Sequence, residues 1–293
     1  MEVTPIVRIF PHKVWFTKSE DLRSWLHFGL RNRGGYYFLK TIAPSIVDHT
    51  PVGSIVLFRL GDSILGEAVV KHDLMRSNVP AYETMIQFDP SSIRIFPRPL
   101  RLKRLETLIG KKLSGEMQYY KFSMSSYGWF LNEMVSEMDF TKLTKREKKM
   151  VEIPPVPIIR IFPDIKGYKQ DEDIRGWLHF TVRERGGTYY FRNVPSAMKN
   201  EKTPPGSIIL FREGDELIGE AVVKKDISRT NNKDFSMMIS FEPFTIRIYR
   251  YPLRINKLMI LLDRDLSNPH DHYTLPMSQY GTVLRENVSH GFI

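Results

Sequence analysis

Short apolar runs closed by proline or glycine alternate with one stretch of helical periodicity, and the whole pattern occurs twice. Val7 to Phe10 is a β-like run closed by Pro11, and Ile159 to Phe162 is closed by Pro163. Between Asp21 and Arg33, the residues Leu22, Trp25, Leu26 and Leu30 recur at three- and four-residue steps. That spacing predicts a helix with Ser19 as its N-cap and Gly34-Gly35 as its stop. Ile174, Trp177, Leu178 and Val182 repeat it over 173–185.

After the glycines, Tyr36-Tyr37-Phe38 leads to Ser54–Phe58, a Gly61-Asp62 turn and Gly66–Lys71, the pattern of a buried hairpin that recurs over 207–224. Further strands are expected at Glu83–Phe88, Ile93–Phe96 and Tyr119–Phe122, with a helix from Tyr127 to about Met138. The Arg-Ile-Phe-Pro phrase at 8–11 returns at 160–163, an offset of 152 that becomes 153 after one inserted residue, assigned to Thr188. A period this long is a duplicated domain rather than a solenoid unit. The expected division is 1–138, a basic and proline-rich linker at 139–157, and 158–293. Strands around a few helices predict an α+β fold, two tandem mixed β-barrels with flanking helices.

Composition changes the picture in three respects. The 293 residues are enough for two domains of about 150 residues each. Forty-three Lys and Arg against 33 Asp and Glu give a net charge of +10, which points to a polyanionic partner. The absence of cysteine excludes disulfides, cysteine nucleophiles and thiolate metal sites. No apolar run reaches the roughly 18 residues of a membrane span, and Met1–Pro5 lacks the features of a signal peptide, so a cytoplasmic protein without a membrane partner is expected.

The succession Trp25-Leu-His-Phe, Gly53-Ser-Ile-Val-Leu-Phe58, Gly66-Glu-Ala-Val-Val, Glu83-Thr-Met-Ile-Gln-Phe88 and Tyr120-Lys-Phe-Ser-Met-Ser-Ser-Tyr127-Gly resembles the PUA-like superfamily, nearest to its EVE, YTH and ASCH branches. The resemblance covers nearly all of each copy. It implies a flipped base, plain or methylated, held between aromatic side chains, as in the specificity modules of modification-dependent restriction systems. Trp25 and Trp177 fall where YTH domains place one wall of the base cage. Tyr82 and Phe235 fall where the second wall lies, and His27 and His179 where polar groups meet the base edge. DNA is favoured over RNA as partner, with a nuclease on a separate chain as a second partner. No cofactor and no metal are implied.

Arg31, Arg33, Arg183 and Arg185 end the two helices, and Lys103 with Arg104 begins a basic face; these are the candidate phosphate contacts. The ASCH branch implies a competing reading, hydrolysis of modified nucleosides by Glu67 and Glu220 with Lys71 and Lys224. In a strand, however, a separation of four residues is about 13 Å. No phosphate loop, nuclease spacing or Ser-His-Asp arrangement is present, so no catalysis is expected. Asn268-Pro-His270-Asp-His272 occurs once and reads as a loop rather than a metal site. A protein-interaction scaffold is the remaining alternative.

Overall fold

The computed structural model describes residues 4–12, 16–40, 49–113, 115, 119–136, 155–162, 174–191 and 202–290. Each copy forms one seven-stranded mixed sheet with few helices. Most of the linker at 139–157 lies outside the described residues.

In the first copy, β1 (Ile6–Pro11) pairs in parallel with β3 (Ile55–Leu60) and antiparallel with β7 (Tyr120–Ser123). The long strand β4 (Ser63–Arg76) pairs with β3, with β5 (Thr84–Phe88) and with β6 (Arg94–Arg101), and β2 (Tyr36–Leu39) joins β5. The second copy repeats this with β8 (Ile158–Ile161), β9 (Thr188–Phe191), β10 (Ile208–Glu213), β11 (Glu216–Arg229), β12 (Met237–Phe241), β13 (Arg247–Arg254) and β14 (Tyr273–Pro276). Among the described residues no hydrogen-bonded pair joins the end strands β2 and β7, or β9 and β14, so the expected barrel is open.

The helix after β1 departs from its expected form. Helix α1 (Ser19–Ser24) begins at Ser19 itself, with Lys18 at the N-cap and no side-chain cap bond, and then widens into a π-helical turn over Trp25–Leu30. The second copy does the same, from α4 (Ile174–Gly176) into Trp177–Val182. Of the four further helices among the described residues, two match the expected ones. Tyr127–Val135 (α3) and Tyr280–His290 (α6) match the predicted closing helix, whereas Leu102–Ile109 (α2) and its counterpart Ile255–Leu262 (α5) were not anticipated.

The duplication register also needs correction. β2 sets Tyr36 opposite Gln87 and Tyr37 opposite Ile86, while β9 sets Thr188 opposite Ser240 and Tyr189 opposite Ile239. Thr188 is therefore the counterpart of Tyr36, and Tyr189 that of Tyr37. The inserted residue falls between Phe191 and Thr203, because Thr50 and Thr203 donate equivalent N–H bonds to Asp73 and Asp226.

Why the central strands are apolar without alternation follows from what each face meets. Ile55 and Leu57 of β3 point into one cluster, Val56 and Phe58 into another. The second of these, with Phe10, Leu22, Leu26, Leu30 and Tyr37, belongs to the first copy alone, and Phe162, Leu178, Tyr189 and Phe211 form its equivalent in the second copy. The first is shared: Val7, Leu57, Tyr127 and Phe130 pack in one continuous core with Ile159, Leu210, Tyr249 and Tyr280. Each closing helix contacts the long strand of the other copy, α3 on β11 and α6 on β4. Gly53 and Gly206, at φ 84° and 86°, mark two close approaches between the copies. A Cβ on Gly53 would lie 2.6 Å from the Gly281 carbonyl oxygen, and one on Gly206 2.5 Å from the Asn132 nitrogen.

Candidate nucleic-acid interface

A polar cluster lies at the shared core, and an aromatic group lies at the outer end of each copy. At the shared core Glu67 and Glu220 are both 2% exposed. Glu67 accepts from Arg94 Nε at 2.6 Å and from the Tyr127 hydroxyl at 2.8 Å, and Arg247 of the other copy approaches to 3.7 Å. Glu220 accepts from the hydroxyls of Tyr280 (2.8 Å) and Tyr249 (2.9 Å) and from Arg247 (3.4 Å). The rings of Tyr127 and Tyr280 stack across the junction at 5.7 Å and 7°. Burial raises the pKa of all three tyrosines, and the neighbouring carboxylates raise it further. These carboxylates, the pair invoked for hydrolysis, are thus enclosed between the copies with their oxygens engaged.

At the outer end of the first copy, α1 and its π-helical turn bring Trp25 against β1 and β2. The indole lies 5.6 Å from Phe16, 5.8 Å from Tyr37, 5.9 Å from His12 and 6.3 Å from Phe58, ring centre to ring centre. It is half-buried, and it rests on Gly29, where a Cβ would come within 2.7 Å of its Cδ1. In the second copy Trp177 is 7% exposed and meets Tyr189 edge-on at 5.5 Å.

His12 was not anticipated as part of this group. It is 1% exposed, its backbone N–H donates to the Arg59 carbonyl oxygen, and its Nδ1–H donates to the Phe10 carbonyl oxygen at 2.9 Å. Burial lowers its pKa to about 4, so the ring is neutral at pH 7 and Nε2 is a bare acceptor. Nε2 has no hydrogen-bond partner among the described residues. The available sequence signal was a polar residue directly after an apolar strand and its closing proline.

The other expected residues disperse. His27 and His179 are exposed on the outer side of their helices, each edge-on to the following phenylalanine rather than beside the tryptophan. The reason is helical geometry, since residues two apart point to nearly opposite sides. Tyr82 packs on Phe38 at 5.4 Å, and Phe235 on Tyr190 at 5.5 Å. Neighbours in a strand face opposite ways. Tyr37 faces Trp25 and Phe38 faces Tyr82, so the two expected cage walls lie on opposite faces of β2.

Arg31 and Arg183 each donate to a backbone carbonyl, Ile93 at 2.7 Å and Ile246 at 2.8 Å, and so brace the helix end. Arg33, Arg185 and Lys103 are exposed. Arg104 pairs with Glu133 at 3.4 Å, and burial pushes the Glu133 carboxyl up to about 7 against the pull of Arg104. Among the described residues six arginines, at 8, 59, 94, 160, 212 and 247, are buried together with four carboxylates. Arg59 and Arg212 spend themselves on loop carbonyls, those of Gly61, Leu113 and Gly115 and those of Gly214, Leu266 and Asn268.

In the Asn268–His272 stretch, Asn268 donates to Asp271 at 2.9 Å, and His272 packs edge-on to Phe162 with its pKa lowered to about 4 by burial and by Arg160. No cluster of three potential metal ligands occurs among the described residues, and no helix there is long and apolar enough to cross a membrane. Comparison of the chain with protein-family models gives no match, and comparison with curated proteins gives none either.

Proposed function

We propose that the chain is a non-catalytic nucleic-acid binder, of DNA before RNA, whose copies are PUA-like modules that read a flipped base at the aromatic group around Trp25. The elements fall in the order that the sequence resemblance implies: strand, helix, strand, hairpin, and a closing strand and helix. The observation that carries the reading is the buried His12, whose Nε2 has no hydrogen-bond partner among the described residues. A buried acceptor without a partner costs about 1 to 3 kcal/mol. The N–H donors on a base edge are the groups that would satisfy it while the base stacks on an indole or phenyl face. The second copy has Asp164 at the corresponding sequence position, again an acceptor. A nuclease on a separate chain is the partner this reading implies, as in modification-dependent restriction systems.

The test is an anisotropy screen of plain, methylated and hydroxymethylated oligonucleotides, single-stranded and duplex. Saturable binding that weakens steeply between about 50 and 200 mM salt is expected. Trp25→Ala should weaken it, and His12→Phe should erase the preference among bases. Wild-type affinity and preference in a folded double variant would sink the reading.

A further inference from the structure

In both copies the π-helical turn puts the same two side chains on the surface. Phe28 and Phe180 are each 61% exposed, and each meets the edge of its own preceding histidine, at 4.4 Å for His27 and 4.8 Å for His179. Around them the copies have drifted: Gly29 corresponds to Thr181, Leu30 to Val182 and Asn32 to Glu184. Packing accounts for the retention of Leu26 and Leu178, which are fully buried. It does not account for a phenylalanine that faces solvent twice. The helix end and the turn after it carry Arg31 and Arg33 in one copy and Arg183 and Arg185 in the other, and Arg183 is close enough to His179 to contribute to lowering its pKa, after burial. The exposed acids Glu20 and Asp21 sit at the opposite end of the first helix, and Glu184 is the acid nearest the second ring in sequence.

We propose that each His-Phe-Arg surface is a stacking step for a single-stranded stretch of nucleic acid: one base lies on Phe28 or Phe180, and its phosphate meets Arg33 or Arg185. The inference rests on the nucleic-acid reading above, but the surface is separate from the Trp25 group, since Phe28 points out of the helix while Trp25 points into β1 and β2. Unpaired nucleotides beside a flipped base are what such a surface would hold. Aromatic stacking with an adjacent cation is tolerant of sequence, so this step adds affinity without base preference.

The experiment uses the full chain and labelled single-stranded and duplex oligonucleotides. Phe28→Ala with Phe180→Ala is expected to weaken single-strand binding roughly 5- to 100-fold for each stack lost, with an unchanged salt slope because no charge is removed. Tyrosine at both positions should restore binding, and neither pair should shift the melting temperature. Arg33→Ala with Arg185→Ala should instead flatten the salt slope. If the wild type binds and Trp25→Ala weakens it while the folded alanine pair binds unchanged, this inference fails alone. If the wild type binds no oligonucleotide at about 50 mM salt, the functional reading fails with it. Self-association that the alanine pair abolishes, with oligonucleotide binding intact, would reassign the surface to a protein contact and overturn the proposal.

Discussion

The two copies agree at the centre of the molecule and differ at its ends. In the shared core each contributes a glutamate, an arginine and a stacked tyrosine, and only the details differ. Phe96 stands where Tyr249 donates to Glu220, and Arg247 reaches past its own glutamate to Glu67 and to the Ser92 carbonyl oxygen. At the outer ends Trp25 is half-buried and Trp177 buried, and Tyr119 in one copy corresponds to His272 in the other. The difference follows from what each residue faces. A side chain in the shared core is part of the other copy's environment, so a change there must be matched twice. An outer cluster is bounded by its own copy and by solvent, and can drift.

The strongest way to break the central agreement is to remove one carboxylate. Glu67→Ala leaves Arg94 without its paired carboxylate and Arg247 with Glu220 alone of its two, and loss of one partner from a buried ion pair costs about 3 to 5 kcal/mol. Glu220→Ala should cost less, because two of its three partners are neutral hydroxyls. Denaturant unfolding should show one transition for both copies in each case. Equal losses for the two variants, or two separated transitions, would mean that the network does not couple the halves. At the ends, Trp177→Ala should cost about 3 to 5 kcal/mol of stability, as for a buried tryptophan, and Trp25→Ala clearly less. Matching losses would erase the distinction drawn between them.

Acid should sharpen the comparison next. His12 has its folded pKa lowered to about 4 from an ordinary value near 6.5. Between these values the unfolded chain binds the proton and the folded one does not, so stability is intact above pH 6.5 and declines as pH falls toward 4. The decline is at most about 3 kcal/mol for a shift of this size. His272 is shifted the same way, so each end contributes. His12→Phe should flatten part of the profile, and an unaltered profile would show that the imidazole is not buried neutral.

Much of this architecture was legible. The repeat, the hairpin with its Gly61 turn and the strand that opens each copy come directly from apolar runs and their stops. The shared core was written in the closing helix, where Tyr127, Phe130, Leu131, Met134 and Val135 leave almost no polar side, the mark of a helix buried all round. Taken alone it suggested only a hydrophobic helix, because a sequence does not say which sheet covers each face. Helix α2 also had its signal, Leu102, Leu105 and Leu108 at three-residue steps, beside lysines and arginines that drew attention as a charge cluster. The site was harder. Tyr82 and Trp25 are both aromatic and both adjoin β2, and only strand alternation puts them on opposite faces. Identity put the inserted residue at Thr188, by matching Tyr-Tyr-Phe to Tyr-Tyr-Phe, and the hydrogen-bond register moved it past Phe191.

The smallest expected effect isolates why the two tryptophans differ. Gly29 lets the Trp25 indole lie over its own helix, and Thr181 puts a Cβ at the equivalent point of the second copy. Gly29→Ala cannot keep that ring where it is, since the new carbon would meet it at 2.7 Å. The helix itself gains up to about 1 kcal/mol from replacing glycine by alanine, so the protein should remain folded and no less stable. What should change is the indole: its emission should shift to shorter wavelength if it moves toward the buried position of Trp177, with a several-fold loss in base-dependent binding. Thr181→Gly should do the converse to Trp177 and shift emission to longer wavelength. If both variants are stable and neither emission nor binding moves, then position 29 does not control the tryptophan, and the divergence of the two ends must come from the strands beneath it.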